Sequence, residues 1–224
     1  GPGDGVYGIG RSFATAARAE SQTTAAIGRD GRLSSPGLEA ALSRGLCEGG
    51  MNVISVGRVP TPLLYFATHE LQTGTGIMIT GSHNPPEYNG LKMMIGGVTL
   101  AEKRIQALLQ NLQNNTLSSG KGQTSNTDIV PAYIEQMLPV CQLDRPLNVV
   151  VDCGNGVAGG IAPDIIEALG CKVTPLFCEV DGNFPNHHPD PAEPENLEDV
   201  IAKVKETGAD VGLAFDGDGD RLGV

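Results

Sequence analysis

The 224-residue sequence has no Trp and only 4% aromatic residues, too little for the core of a typical β-sandwich. Cations are scarce as well: 15 Lys and Arg stand against 26 Asp and Glu, for a net charge of −11. Sequence-blind nucleic-acid binding, driven by basic side chains that release counterions from phosphates, is thereby excluded, and a phosphorylated ligand would need local basic groups or a metal. No apolar run approaches the length of a bilayer span, and the amino end lacks a signal-peptide pattern. No membrane partner and a cytoplasmic location are therefore expected. Cys47, Cys141, Cys153, Cys171 and Cys178 are odd in number and form no CxxC pair, so they are read as buried reduced thiols.

What is present is 40% apolar residues and 31 glycines, enough for a sizeable core cut by many tight turns. Strand-like runs occur near 24–28, 51–57, 76–80, 147–154, 171–177 and 209–216, with helical patterns near 7–19, 36–48, 61–71, 101–113, 129–139, 160–169 and 196–207. This alternation predicts an α/β fold: two tandem α/β domains with mainly parallel mixed sheets. The stretches 25–57 and 149–177 each read strand, Gly-containing loop, helix, Gly, strand, so a repeated building block is expected. Between them, "NNTLSSGKGQTSNT" (114–127) has the composition of a linker. The expected domains are 1–127 and 128–224. "GPGDG" at the start reads as a tag or loop remnant and "RLGV" stops within a strand-like run, so a fragment of a longer chain is expected.

The stretch "TGSHNPPEYNGLK" (80–92) follows an apolar strand. Gly81 frees the backbone before Ser82, while Pro85 and Pro86 fix it afterwards, which predicts a stiff turn at a strand's carboxyl end, where open α/β sheets bind ligands. Ser82 there reads equally as a nucleophile or phosphate carrier and as a turn cap. His83 could act as a base or shape the loop. "YNG" predicts a reversal that brings Lys92 back beside Ser82, to hold a phosphoryl group, to transfer protons with a lowered pKa, or to remain an ordinary strand lysine.

Near the carboxyl end, "AFDGDGDRLGV" places Asp216, Asp218 and Asp220 at alternate positions after an apolar strand. Carboxylates so crowded repel unless a cation joins them, and hard oxygen ligands select Mg²⁺ or Ca²⁺. An EF-hand is excluded because its sixth position requires Gly, where this sequence has Arg221. A solvated acidic turn is the alternative. Arg221 suits phosphate recognition, so metal, arginine, serine and lysine form a phosphoryl-transfer set. In "GRDGRLSS" (28–35), Arg29 and Arg32 could touch phosphate, but a structural role is favoured, with Asp30 pairing locally and Ser35 capping the helix from Pro36. His187 and His188 in "FPNHHPDP" are also read as structural, since adjacent histidines do not converge on one ion.

The segments "GRDGRLS", "TGSHNPPEYNGLK", "DGNFPNHHPDPAEPENL" and "AFDGDGDRLGV", in this order along the chain, resemble the signature segments of the α-D-phosphohexomutases, most of all the bacterial phosphomannomutase/phosphoglucomutase branch. The resemblance implies a four-domain enzyme whose first three domains share one α/β core, of which this chain would hold two. Ser82 matches the phosphoserine; Asp216, Asp218 and Asp220 match the Mg²⁺ ligands, with an oxygen on Ser82 completing the site; Lys92 and Arg221 match active-site cations, and His83 lies beside the serine. It further implies interconversion of hexose 1- and 6-phosphates of mannose and glucose, with hexose 1,6-bisphosphate as intermediate and activator, in a monomer serving carbohydrate metabolism. A phosphoglucosamine mutase, another phosphohexomutase or a non-catalytic Mg²⁺ or sugar-phosphate binding module are the alternatives. No "YDIRG"-like segment is present, and Tyr7 is not assigned its role. Without domains 3 and 4, the chain alone is expected to bind Mg²⁺ weakly and not to turn over hexose phosphate.

Overall fold

The computed structural model describes all 224 residues. Its first lobe runs α1 (Pro2–Ala19), β1 (Thr24–Arg29), α2 (Ser35–Glu48), β2 (Asn52–Arg58), α3 (Thr61–Glu70), β3 (Gly76–Ile79), β4 (Leu91–Ile95), β5 (Val98–Thr99), α4 (Glu102–Gln113) and β6 (Thr124–Asn126). The second runs α5 (Val130–Met137), β7 (Asn148–Asp152), α6 (Ala162–Ala168), β8 (Lys172–Leu176), α7 (Glu198–Thr207), β9 (Val211–Phe215) and β10 (Leu222–Gly223), with two short 3₁₀ turns at Val157–Gly160 and Pro194–Leu197. The α/β class and the mainly parallel mixed sheets follow expectation.

The repeat inferred from sequence is a repeat of topology. The first sheet has the order β5-β4-β3-β1-β2-β6 and the second β10-β9-β7-β8. In the shared part, β1 lies parallel between β2 and β3, as β7 lies parallel between β8 and β9, and an antiparallel strand, β4 or β10, closes the β3 or β9 side. Central strands covered on both faces need continuous apolar runs, and "GIMI" of β3 is buried at all four residues. The Ser82 stretch joins β3 to β4 and the aspartate stretch joins β9 to β10, so they are the same hairpin in the two copies.

Three local expectations are corrected. "GPGDG" is not a loose remnant: Pro2 starts α1 and the Asp4 carboxylate accepts from the amino group of Gly1 at 2.7 Å, with proline in the first turn where its missing N–H costs nothing. The polar stretch 114–127 is not a free linker. Ser118 Oγ donates to Gly49 O at 2.7 Å, the Gly120 and Gly122 amides donate to Glu48 and Cys47, and β6 adds a parallel edge to β2. Ser35 does not cap α2; it is the first helical residue, fully buried, and its hydroxyl donates to Asp30 at 2.6 Å.

One apolar cluster holds the lobes together. Leu63, Leu64 and Ala67 of α3 and Met78 of β3 pack with Ile129 and Ile161 of the second lobe, while the Phe66 and Tyr133 rings meet edge to face at 5.3 Å. Burial of this kind contributes roughly 1.5–3 kcal/mol per large side chain. It fixes the two hairpin ends against each other.

Candidate active site

The serine loop is set by a buried ion pair. Ser82 adopts φ 54°, a left-handed conformation sparsely used by non-glycine residues and concentrated at functional sites. Its carbonyl accepts from Arg32 Nη2 at 3.0 Å, that of Asn84 from the same atom at 2.8 Å, and that of Pro85 from Nη1. The Arg32 guanidinium, wholly buried, pairs with Asp30 at 2.9 Å and lies 5.3 Å from the centre of the Phe184 ring. Asp30 also accepts from the Thr80 hydroxyl at 2.8 Å and the Gly81 amide at 3.1 Å. A Cβ on Gly81 would lie 2.4 Å from the guanidinium carbon, so only glycine lets Arg32 through.

On the facing hairpin, the Asp216 Oδ1 atom accepts from the amides of Asp220 and Arg221, at 3.1 Å each, which curls the loop around that carboxylate. Asp218 is anchored at the start of α3: the Thr61 amide donates to its carbonyl at 2.9 Å and the Thr61 hydroxyl to its Oδ2 at 2.5 Å. A carboxylate at a helix amino terminus is favoured by the unpaired amides there. The two loops touch at Gly217, where a Cβ would meet the Ser82 carbonyl at 2.2 Å.

This close approach brings together all seven residues singled out from sequence: Ser82, His83, Lys92, Asp216, Asp218, Asp220 and Arg221. Ser82 Oγ donates to Asp218 Oδ1 at 3.2 Å, and Lys92 Nζ donates to Asp218 at 2.7 Å and Asp220 at 2.8 Å. His83 Nδ1 is 3.4 Å from Ser82 Oγ and in contact with the Arg221 guanidinium, which is half-exposed. Lys92 therefore reaches the aspartates, and it is linked to the serine through the Asp218 carboxylate that both contact. Although burial alone would lower its pKa, the hydrogen bonds to Asp218 and Asp220 outweigh it and push the ammonium above its ordinary value. The lowered pKa considered for proton transfer is overturned: Lys92 is a fixed positive charge.

The aspartates suit a hard cation. Ligand atoms from Asp216, Asp218 and Asp220 all lie within 4.8 Å of one another. Asp216 Oδ2 is buried with no hydrogen-bond partner, and the Arg221 Nε is 3.8 Å from it, too far to donate. A buried carboxylate oxygen left bare is costly, and a divalent ion among three hard oxygens removes that cost. Burial, and then the charge of Asp218, pushes the Asp216 carboxyl up to about 7. For Asp218 burial acts the same way, but the hydrogen bonds from Lys92 and Thr61 prevail and hold it below the usual carboxylate range.

Sequence reasoning missed Thr61 altogether, and it weighed Arg32 as a phosphate contact or a structural residue without foreseeing that it clasps the serine loop. Arg29 does pair structurally, with Glu39 at 2.6 Å. The "FPNHHPDP" loop braces the serine loop: His188 Nε2 donates to the His83 carbonyl, and His187 holds Asp152 at 2.8 Å. Tyr7, on α1, bonds Glu48 and lies under Arg44 instead of facing this site. The contacts of Thr61, His187, His188 and Tyr7 join residues distant in the chain, so only an unusual pairing such as H-H could have hinted at any of them.

Comparison with known proteins agrees with this geometry. Residues 3–119 match the family model described as phosphoglucomutase/phosphomannomutase, alpha/beta/alpha domain I, and residues 131–224 match domain II. A phosphomannomutase/phosphoglucomutase of Pseudomonas aeruginosa is 56% identical over 98% of this chain and 47% of its own length. A phosphoglucomutase of Neisseria gonorrhoeae is 51% identical over 99% of this chain and 48% of its own. The crystal structure of a phosphoglucomutase/phosphomannomutase family protein from Burkholderia thailandensis superposes with a TM-score of 0.95 at 47% identity, covering 99% of this chain and 50% of that one. The chain spans about half the length of the curated relatives it matches. With both domain models matched in order along nearly all of its length, the chain belongs to the phosphoglucomutase/phosphomannomutase family.

Proposed function

We propose that this chain carries the phosphorylated serine and the cation site of a phosphohexomutase that interconverts the 1- and 6-phosphates of glucose and mannose. Ser82 is the phosphoryl carrier, Asp216, Asp218 and Asp220 hold Mg²⁺ with an oxygen on Ser82, Lys92 and Arg221 are the site's cations, and hexose 1,6-bisphosphate is the activator. The observation that carries the reading is Ser82 Oγ at 3.2 Å from Asp218, beside a buried Asp216 oxygen that lacks a partner. A cytoplasmic monomer completes the proposal; no helix is long and apolar enough to cross a membrane.

Phosphoryl transfer asks a protein for position and charge more than for covalent chemistry. The bound cation would supply positive charge to phosphoryl oxygens. Arg32 and the left-handed backbone hold Ser82 Oγ in one place, so little entropy remains to be lost on reaction. Asp218 Oδ1 accepts the Ser82 proton in a hydrogen bond, leaving oxygen lone pairs for phosphorus. Lys92, kept protonated, and Arg221 can oppose the charge of an incoming phosphate. In the forward half-reaction the phosphoryl group passes from Ser82 to a free sugar hydroxyl, and in the return half the other phosphoryl group passes back to Ser82.

Incubation with glucose 1,6-bisphosphate and Mg²⁺ tests this. Intact mass should rise by about 80 Da, one phosphoryl group, mapped to Ser82 and absent from Ser82→Ala. A serine that stays unmodified under these conditions refutes the assignment.

A further inference from the structure

The fold places two thiols together that the proposed phosphoryl chemistry does not use. Cys153 follows β7 and Cys178 follows β8, and their sulfurs are 3.6 Å apart. Main-chain bonds hold both in place: the Cys153 amide donates to Leu176 O at 3.1 Å, and the Asn155 amide to Phe177 O at 2.8 Å, on either side of the pair. β7 and β8 are adjacent, paired in parallel up to Asp152 and Leu176, so Cys153 and Cys178 leave neighbouring strand ends with their sulfurs already near each other. Closing the sulfurs to the bonded separation of about 2.05 Å therefore asks for side-chain rotation more than strand movement. Cys153 is completely buried, whereas Cys178 is partly open to solvent. Cys47, Cys141 and Cys171 have no such neighbour: all five cysteines are free, and the contact between Cys153 and Cys178 is the sole sulfur–sulfur contact.

We propose that Cys153 and Cys178 form a peroxide-reactive dithiol, with Cys178 as the attacking sulfur and Cys153 as the resolving one, which closes to a reversible disulfide between the ends of β7 and β8. The co-reactant is a hydroperoxide. The Cys178 sulfur attacks its distal oxygen, the O–O bond breaks, and Cys178 sulfenic acid and an alcohol, or water from hydrogen peroxide, result. The Cys153 sulfur then attacks the Cys178 sulfur, the S–O bond breaks, and the departing hydroxide leaves as water with the Cys153 proton. In sum two thiols lose two protons and two electrons, and one hydroperoxide gains them. Exposure points the same way: Cys178 is partly open to solvent and can meet a hydroperoxide, whereas its contact with Cys178, together with burial, pushes the Cys153 thiol far up. Quick resolution by Cys153 keeps Cys178 from irreversible oxidation to the sulfinic acid.

The test uses the whole chain carrying Cys141→Ser, which removes the exposed thiol that could link two molecules. The reduced protein is treated with a slight excess of hydrogen peroxide, quenched, denatured and alkylated. Expected are a monomer lighter by about 2 Da before alkylation, two fewer alkylated cysteines than in the untreated protein, a Cys153–Cys178 cross-linked peptide, and full return of both thiols on reduction with dithiothreitol. Cys153→Ser in the same background should instead trap Cys178 as a sulfenic acid that dimedone captures. Full alkylation after peroxide, a cross-link through Cys47 or Cys171, or sulfinic acid at Cys178 with Cys153 still free would each overturn the proposal. The peptide map of the parent protein decides it even where Cys153→Ser does not fold.

Discussion

Replacing Arg32 by Met keeps a long side chain but removes the guanidinium that fastens the serine loop. The wholly buried Arg32 leaves Asp30, 2% exposed, as an unpaired buried charge, and breaking such a pair costs about 3–5 kcal/mol. Three loop carbonyls, those of Ser82, Asn84 and Pro85, lose their donor too, at about 1–3 kcal/mol for each that stays dry. The loop is only partly buried, so water replaces much of that loss, while Thr80, Ser35 and the Gly81 amide still donate to Asp30. The net expectation is about 3–5 kcal/mol of unfolding free energy, read as a lower urea midpoint at unchanged slope. Hydrogen exchange at the Ser82 and Asn84 amides should accelerate, and Ser82 phosphorylation by the bisphosphate should slow at least tenfold. The double variant Asp30→Asn/Arg32→Met should lose less than the sum of the single variants, because no charge is stranded. A loss under about 1 kcal/mol, with exchange and phosphorylation unchanged, would show that something other than Arg32 holds the loop.

Gly217→Ala places a methyl group 2.2 Å from the Ser82 carbonyl, so the hairpins must part; Mg²⁺ affinity by calorimetry and Ser82 phosphorylation should fall at least tenfold while the fold persists. Unchanged Mg²⁺ affinity would mean the loops do not act as one site. His187 gives a pH dependence. Its Nδ1 faces the His188 carbonyl at 2.9 Å and its Nε2 the Asp152 carboxylate at 2.8 Å, two acceptors that together require an imidazolium. Burial alone would lower its pKa, but the Asp152 hydrogen bond prevails and raises it. The stabilisation is therefore complete below the unfolded value of about 6.5 and is lost as pH rises through the higher folded value. As pH rises from about 6 to about 9, the parent protein should lose more unfolding free energy than His187→Asn in urea titrations. Parallel stability curves for the two would refute the imidazolium.

Much of this fold was legible along the chain because its signals are local. Apolar runs such as "GIMI" and "NVVVD" mark strands whichever neighbour they find, and the Gly-punctuated alternation with amphipathic stretches marks helices between them. The short edge pieces β5 and β6 were not foreseen as strands; at two or three residues each they exist only by pairing with β4 and β2. The site residues divide in the same manner. Ser82 and the aspartates stand out by spacing and by the strands that lead into them. Thr61 carries no such mark, and it becomes part of the site because α3 starts at Asp218.

By itself the sequence determined the α/β class, the repeated unit, and two separate stretches of chemistry-bearing residues, the serine–lysine turn and the aspartate–arginine turn, since each depends on residues close in the chain. Tertiary structure alone decided that the serine and aspartate stretches are equivalent hairpins of two copies, meeting where Gly217 has no side chain. It also decided the charge of Lys92 and the burial of Arg32. A pKa, or the burial of Arg32 beneath the serine loop, depends on what lies across a few ångströms of low-dielectric interior, and here those neighbours are supplied by segments 50 to 128 residues away.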